Sequence, residues 1–107
     1  MTRIGLIASA AVALLALTGV ANAASFRCAG NLTYTEAAIC DNPELSRLDS
    51  VMAGDYFHKL HHSHGTTRAR LQTDQITWLG ARNGCQANVD CLTQTYAARI
   101  QDIEFQY

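Results

Sequence analysis

The chain has 107 residues and a formal net charge of −1, and 16% of its residues are charged. A chain of this length predicts a single domain. Because the sequence contains no basic stripe, it argues against binding to nucleic acid.

Residues 1–23 have the features of a secretory signal peptide. A short basic end containing Arg3 precedes the apolar run "IGLIASAAVALLAL". Ala21 and Ala23 then occupy the positions of an A-x-A cleavage site, which predicts cleavage after Ala23. The alternative is a retained N-terminal anchor, but the apolar run is short of the roughly 20 residues that a membrane span needs. No cysteine lies at or just after the predicted cut, so lipid attachment is not expected. We therefore expect a periplasmic or secreted protein of residues 24–107, with no membrane span after cleavage.

All four cysteines lie after the predicted cleavage site, at Cys28, Cys40, Cys85 and Cys91. An even number of cysteines in a small exported chain predicts two disulfides. Of the three possible connectivities we favour the local one, Cys28–Cys40 with Cys85–Cys91. A zinc site is the alternative, but these spacings lack the paired C-x-x-C knuckles of zinc sites.

The first two predicted helices are separated by the only proline. A short helix begins near Thr33, where Glu36 three residues later completes a capping-box pattern, and it extends to Cys40. Asp41 or Asn42 can cap the next helix, with Pro43 at its first position. This helix covers about residues 43–62, and Gly65 is a plausible left-handed stop. Its apolar stripe consists of Leu45, Leu48, Met52, Tyr56 and Leu60.

Two further helices follow. The third covers about residue 67 to residue 82 or 83 and places Leu71, Gln75, Trp78, Arg82 and Cys85 on one face, with Asn83-Gly84 as its stop signal. The fourth covers about residues 91–104, with Asp90 as its cap and with Leu92, Tyr96, Arg99, Ile100 and Ile103 on its inner face. The predicted fold is all-α, a small helical bundle of three main helices and one short N-terminal helix, tied by disulfides.

Polar residues lie on the predicted inner faces of these helices. Burial of a lone charge costs several kcal/mol, so such residues require partners. We expect a structural polar network with Asp49 paired to Arg82 and Glu36 paired to Arg99, since the planar guanidinium can hold a carboxylate with two bonds. Gln75 is expected to bond to a helix end or a backbone carbonyl. Arginines lower carboxylate pKa values, which is the wrong direction for a general acid, so no catalytic residue is predicted.

A run of histidines, "HKLHHSH", ends the second helix. His58 and His62 are one helical turn apart and Asp55 falls on the same side, a set that could hold zinc, copper or nickel. The alternative is a solvated helix end, where histidine suits the negative end of the helix dipole.

Several short motifs occur in order along almost the whole exported part: "FRC", "TEAAIC", "NPELSRLD", "QITWLGARNGC", "CL" and "RI". In this respect the chain resembles the LprI-type lysozyme-inhibitor family of small exported bacterial helical domains. The matching positions are Phe26, Cys28, Glu36, Ile39, Cys40, Pro43, Leu45, Leu48, Asp49, Tyr56, Gln75, Trp78, Arg82, Cys85, Cys91, Leu92, Tyr96, Arg99 and Ile100. The resemblance implies the fold more directly than it implies inhibition, because the shared residues are mainly those to which a structural role is assigned above.

The sequence therefore predicts a secreted or periplasmic binding protein that is not an enzyme and needs no cofactor, with a lysozyme-type muramidase as its partner. A disulfide-closed turn loses little entropy on docking, so the predicted partner-binding residues are Gln86, Ala87, Asn88, Val89 and Asp90. The alternatives are an envelope metal-binding protein that uses the His58–His64 run, and an exported structural domain with no enzymatic activity.

Overall fold

A computed structural model of the chain describes residues 25–107. The predicted signal peptide, residues 1–23, lies outside the described residues. The structure has a short helix α1 (Tyr34–Asp41) and three long ones, α2 (Pro43–His61), α3 (Gly65–Gly84) and α4 (Val89–Phe105). The described part of the chain contains no strand, so the all-α prediction of three main helices and one short helix is confirmed.

The helices begin where local capping groups satisfy the free backbone N–H groups of their first turns. At α1 the predicted capping box is present: the Glu36 N–H donates to Thr33 Oγ1 at 3.1 Å and the Thr33 N–H donates to Glu36 Oε1 at 2.9 Å. Asn42 caps α2 by accepting from the Leu45 N–H at 3.0 Å, and Pro43 occupies the first turn.

Two predicted helix boundaries are wrong. Gly65 does have a positive φ of 57°, but it begins α3 instead of ending α2. The helix α2 ends with His62 as its C-cap, where Ser63 Oγ and the Arg68 guanidinium donate to two of its last carbonyls. At α4 the cap is Asn88, whose side-chain oxygen accepts from the Cys91 N–H at 2.9 Å, and Asp90 lies inside the first turn.

The apolar core lies where the inner faces of α2, α3 and α4 meet, with α1 packed at one end of α2. Trp78 and Tyr96 pack edge to face at its centre, with ring centroids 5.1 Å apart. The Trp78 indole N–H donates to the Thr95 carbonyl at 3.1 Å, so the core contains no unpaired indole. The buried core residues are Ile39, Leu45, Met52, Leu71, Trp78, Cys85, Leu92, Tyr96 and Ile103.

Both disulfides have the predicted local connectivity. Cys28–Cys40 joins the segment before α1 to the end of that helix, with 5.8 Å between the Cα atoms. Cys85–Cys91 joins the end of α3 to the first turn of α4, with 5.6 Å between the Cα atoms. Disulfides are typical of proteins that fold in an oxidising compartment. None of the helices in residues 25–107 has the length and hydropathy to cross a membrane.

Candidate functional site

A carboxylate, Asp49, is buried in the bundle without an ion-pair partner among residues 25–107. Asp49 is fully buried on α2. Its Oδ1 accepts from the Tyr96 hydroxyl at 2.7 Å and its Oδ2 accepts from the Ser25 N–H at 2.6 Å. Within residues 25–107 the only carboxylate–cation contact under 4.0 Å is the exposed pair Glu44–Arg47. The predicted Asp49–Arg82 ion pair is therefore wrong, although both side chains are buried as predicted.

Arg82 instead bonds to a neutral side chain. Its Nε and Nη2 donate to the side-chain oxygen of Asn83 at 3.1 and 2.9 Å, and its guanidinium lies 6.0 Å from the Trp78 ring centroid. Burial is the largest effect that raises the pKa of the Tyr96 phenol, and the hydrogen bond to Asp49 raises it further, whereas Arg82 opposes the rise. Both charges therefore act on the Tyr96 phenol, and its hydroxyl, not a guanidinium, is the side-chain donor to Asp49.

Arg99 has a similar arrangement with a second tyrosine. Its Nε donates to Gln75 Oε1 at 3.0 Å and its Nη1 donates to the Tyr107 hydroxyl at 3.2 Å. That hydroxyl donates in turn to Asp74 Oδ2 at 2.5 Å. Burial raises the pKa of the Tyr107 phenol, and its bond to Asp74 adds to the rise. Arg99 is 3% exposed, and Gln75 and Tyr107 accept from its Nε and Nη1. Its Nη2 is also buried and has no hydrogen-bond partner among residues 25–107.

The second predicted ion pair, Glu36–Arg99, is also wrong. Glu36 is already used by the capping box of α1, which is a purely local interaction. Gln75 was expected to bond to a helix end or a backbone carbonyl, but it connects two side chains. Its Oε1 accepts from Arg99, and its Nε2 lies 3.3 Å from Met52 Sδ.

Sequence reasoning missed the two tyrosine hydroxyls. Helical spacing places Tyr96 on the inner face of the fourth helix but assigns no role to its hydroxyl. A buried tyrosine hydroxyl requires a hydrogen-bond partner, and Asp49 was the buried acceptor available. That requirement was a usable signal. Tyr107 and Asp74 carried no comparable pattern. Because Asp49 is inaccessible and the Tyr96 phenol is held protonated, this network fits a role in fixing the packing of the helices.

The predicted partner-binding turn lies at one end of the bundle. All five of its residues, Gln86 to Asp90, are exposed. Gln86 adopts a left-handed conformation with φ 55°, and the Asn88 N–H donates to the Cys85 carbonyl at 3.1 Å. The disulfide, this hydrogen bond and the Asn88 cap together fix the backbone of the turn.

A cleft of about 590 Å³ lies beside this turn, between the start of α1 and the end of α3. Gln86 and Tyr34 both line it, and Tyr34 is 80% exposed. The hydroxyl of Thr35 donates to the Asn83 carbonyl at 3.4 Å and connects α1 to α3 at this point. We call the turn Gln86–Asp90 together with Tyr34 the end face.

The predicted metal set does not assemble. His58 and His62 are close, with ring centroids 4.5 Å apart, but His62 Nδ1 lies 2.8 Å from the His58 carbonyl oxygen and must donate to it. Among residues 25–107, no group of three His, Cys, Asp or Glu side chains could hold a metal ion, and Asp55, His58 and His62 therefore do not form a metal site. The predicted set does not assemble because His62 lies at the end of α2, where its ring bonds to the backbone.

No protein-family model, curated protein or solved structure matches this chain.

Proposed function

We propose that the protein is exported, that its signal peptide is removed after Ala23, and that it binds and inhibits a lysozyme-type muramidase through the end face. The observation that carries this proposal is the disulfide-closed turn, whose five exposed residues are held rigidly at the tip of the α3–α4 hairpin. The resemblance to the LprI-type family supplies the class of partner. The proposed role is binding without catalysis.

The rigidity of the turn favours binding because little conformational entropy remains to be lost on docking. Fixing the backbone of one flexible residue costs on the order of 1–2 kcal/mol. The Cys85–Cys91 bridge and the Asn88 cap have already removed most of that freedom in the backbone. A pre-formed protrusion of this kind suits the concave cleft of a muramidase.

The composition of the end face also fits protein recognition. Tyr34 and Val89 are 80% and 44% exposed, so an aromatic anchor and an apolar side chain face solvent on this surface. Tyrosine is enriched among the residues that dominate interface energies. The side-chain amide of Gln86 adds hydrogen-bond donors for the carboxylates that line such a cleft.

Lytic-rate assays against a panel of lysozymes would test this proposal. The protein is expected to slow at least one enzyme at micromolar concentration. The variant Tyr34→Ala/Val89→Ser should weaken inhibition at least tenfold, because truncation of an interface anchor typically costs more than about 1.4 kcal/mol.

The matched control is Phe105→Ser, which removes a side chain that is 74% exposed at the opposite end of α4. It should inhibit as well as the unsubstituted protein. Unchanged lytic rates across the whole panel, or equal effects of the end-face variant and the control, would reject the proposal.

A further inference from the structure

Asp49 is a buried charge whose hydrogen bonds both come from neutral donors. Within residues 25–107 no arginine, lysine or histidine nitrogen lies within 4.0 Å of its oxygens. The donors are the Tyr96 hydroxyl and the Ser25 N–H, one to each oxygen. A carboxylate can accept about four hydrogen bonds, so acceptor positions remain on both oxygens. An aspartate that is fully buried is normally paired with a cation, and this one lacks that cation.

The Ser25 N–H belongs to a segment that is fixed against the bundle. The Cys28–Cys40 disulfide joins this segment to the end of α1. Phe26 packs against the apolar core, and the Arg82 guanidinium lies 5.8 Å from the centroid of its ring. These contacts hold the Ser25 nitrogen 2.6 Å from Asp49 Oδ2. The backbone that leads into Ser25 is therefore directed to the buried carboxylate.

The chemistry of the preceding residue depends on the proposed cleavage after Ala23, on which this inference rests. Hydrolysis of the bond between Ala23 and Ala24 consumes one water molecule and leaves a carboxylate on Ala23 and an amine on Ala24. A free α-amine is mostly protonated at neutral pH, whereas the same nitrogen in the uncut chain is a neutral amide. One residue spans at most about 3.6 Å, so the new amine lies within that distance of the Ser25 nitrogen. Cleavage therefore creates a cation beside Asp49.

We propose that the Ala24 ammonium created by signal-peptide cleavage pairs with Asp49, so that the fold reaches its full stability only in the mature protein, residues 24–107. Successive backbone nitrogens that converge on one anion are a common anion-binding arrangement. A hydrogen bond between an ammonium and a carboxylate is roughly twice as strong as a neutral one. The uncut precursor lacks this bond and is less stable, which favours an unfolded chain until export is complete.

The other charged and titratable side chains around Asp49 do not supply this cation. On α3, Arg82 lines the same groove as Ser25 and Asp49, but its Nε and Nη2 donate to Asn83. On α4, burial raises the pKa of the Tyr96 phenol, which therefore stays neutral while it donates to Asp49. The carboxylate thus keeps a full negative partner charge for the ammonium.

Titration of the α-amine in the exported protein tests the pairing directly. Mass spectrometry of the N-terminal peptide first identifies the residue at which the exported chain begins, which should be Ala24. The ¹³Cβ chemical shift of Ala24 then follows the amine across the alkaline pH range. The pKa of this amine should be higher in the folded protein than in the urea-unfolded chain by at least about one pH unit, a tenfold change in the equilibrium constant.

Urea unfolding at neutral pH tests the effect on stability. The exported protein is compared with a protein that has one glycine added before Ala24, which displaces the ammonium by a residue, and with an Nα-acetylated protein, which removes its charge. Both changes should lower the equilibrium constant for folding at least about tenfold. In Asp49→Asn, which keeps the shape of the side chain and removes its charge, the same two changes should have no effect. If Asp49→Asn does not fold, the amine titration in the unsubstituted protein decides.

Three results would overturn the proposal: an exported chain that begins at another residue, an amine pKa that is equal in the folded and unfolded states, or the same unfolding midpoint for all three N-termini. Neither measurement involves a lysozyme, so failure of the inhibition assay and failure of this pairing are separate results.

Discussion

Replacement of Tyr96 by phenylalanine tests the central claim that a phenol holds the buried Asp49 carboxylate. The substitution Tyr96→Phe removes only the hydroxyl and leaves the ring packed on Trp78. A hydrogen bond to a charged group contributes about 1.5–3 kcal/mol, and no solvent reaches Asp49 to replace it. We expect the free energy of unfolding to fall by about 2–3 kcal/mol, a drop in Tm of about 10–20 °C for a domain of this size.

Urea unfolding followed by far-UV circular dichroism, at pH 7 and with the disulfides intact, would measure this change. The matched control is Tyr34→Phe, in which the lost hydroxyl belongs to a side chain that is 80% exposed. Its stability should stay within about 0.5 kcal/mol of the unsubstituted protein. If Tyr96→Phe is equally neutral, the hydroxyl does not stabilise Asp49 and the description of the network is wrong.

Three further predictions concern the same phenol and the turn. Because the pKa of the Tyr96 phenol is raised in the folded protein, the unfolded chain loses this proton first, at about pH 10. The free energy of unfolding should therefore be constant below that pH and fall above it by up to about 1.4 kcal/mol per pH unit. Urea unfolding at rising pH would measure this fall, which should be shallower in Tyr96→Phe. The double variant Cys85→Ser/Cys91→Ser opens a small loop and should lose about 2 kcal/mol by loop entropy, measured by urea unfolding; an unchanged midpoint would contradict it. Gln86 has a φ of 55°, which a β-branched residue disfavours and glycine tolerates, so Gln86→Val should lower Tm whereas Gln86→Gly should not. Equal Tm values of the two variants in thermal unfolding would show that the backbone of the turn is unstrained.

The helices could be predicted from sequence because their signals are local. The capping box at Thr33, the proline at the start of α2 and the three- and four-residue spacing of apolar side chains each act within one helix. The disulfide pairing could be predicted for the same reason, since each bridge closes a short segment. Where several local groups compete for one role the prediction failed, as when Asn88 rather than Asp90 capped α4.

The polar contacts could not be predicted to the same degree because they depend on how the helices are rotated and offset against one another. Periodicity correctly placed Asp49, Arg82 and Arg99 in the interior. It could not show that the Tyr96 hydroxyl, and not the Arg82 guanidinium, donates to Asp49. Glu36 was predicted both as a local cap and as a distant ion-pair partner, and the local interaction occurs because it requires no arrangement of other helices.

Helix α3 is anchored unequally along its length, so its two ends should differ in how readily they open. Only Leu71, Trp78 and Arg82 of its twenty residues are buried, and its first turn lacks a side-chain cap. Cys85, the residue that follows its last turn, is bonded covalently to Cys91 of α4. We expect amide protons to exchange with solvent faster in the first turn of α3 than near Arg82, because local opening begins where few side chains are buried.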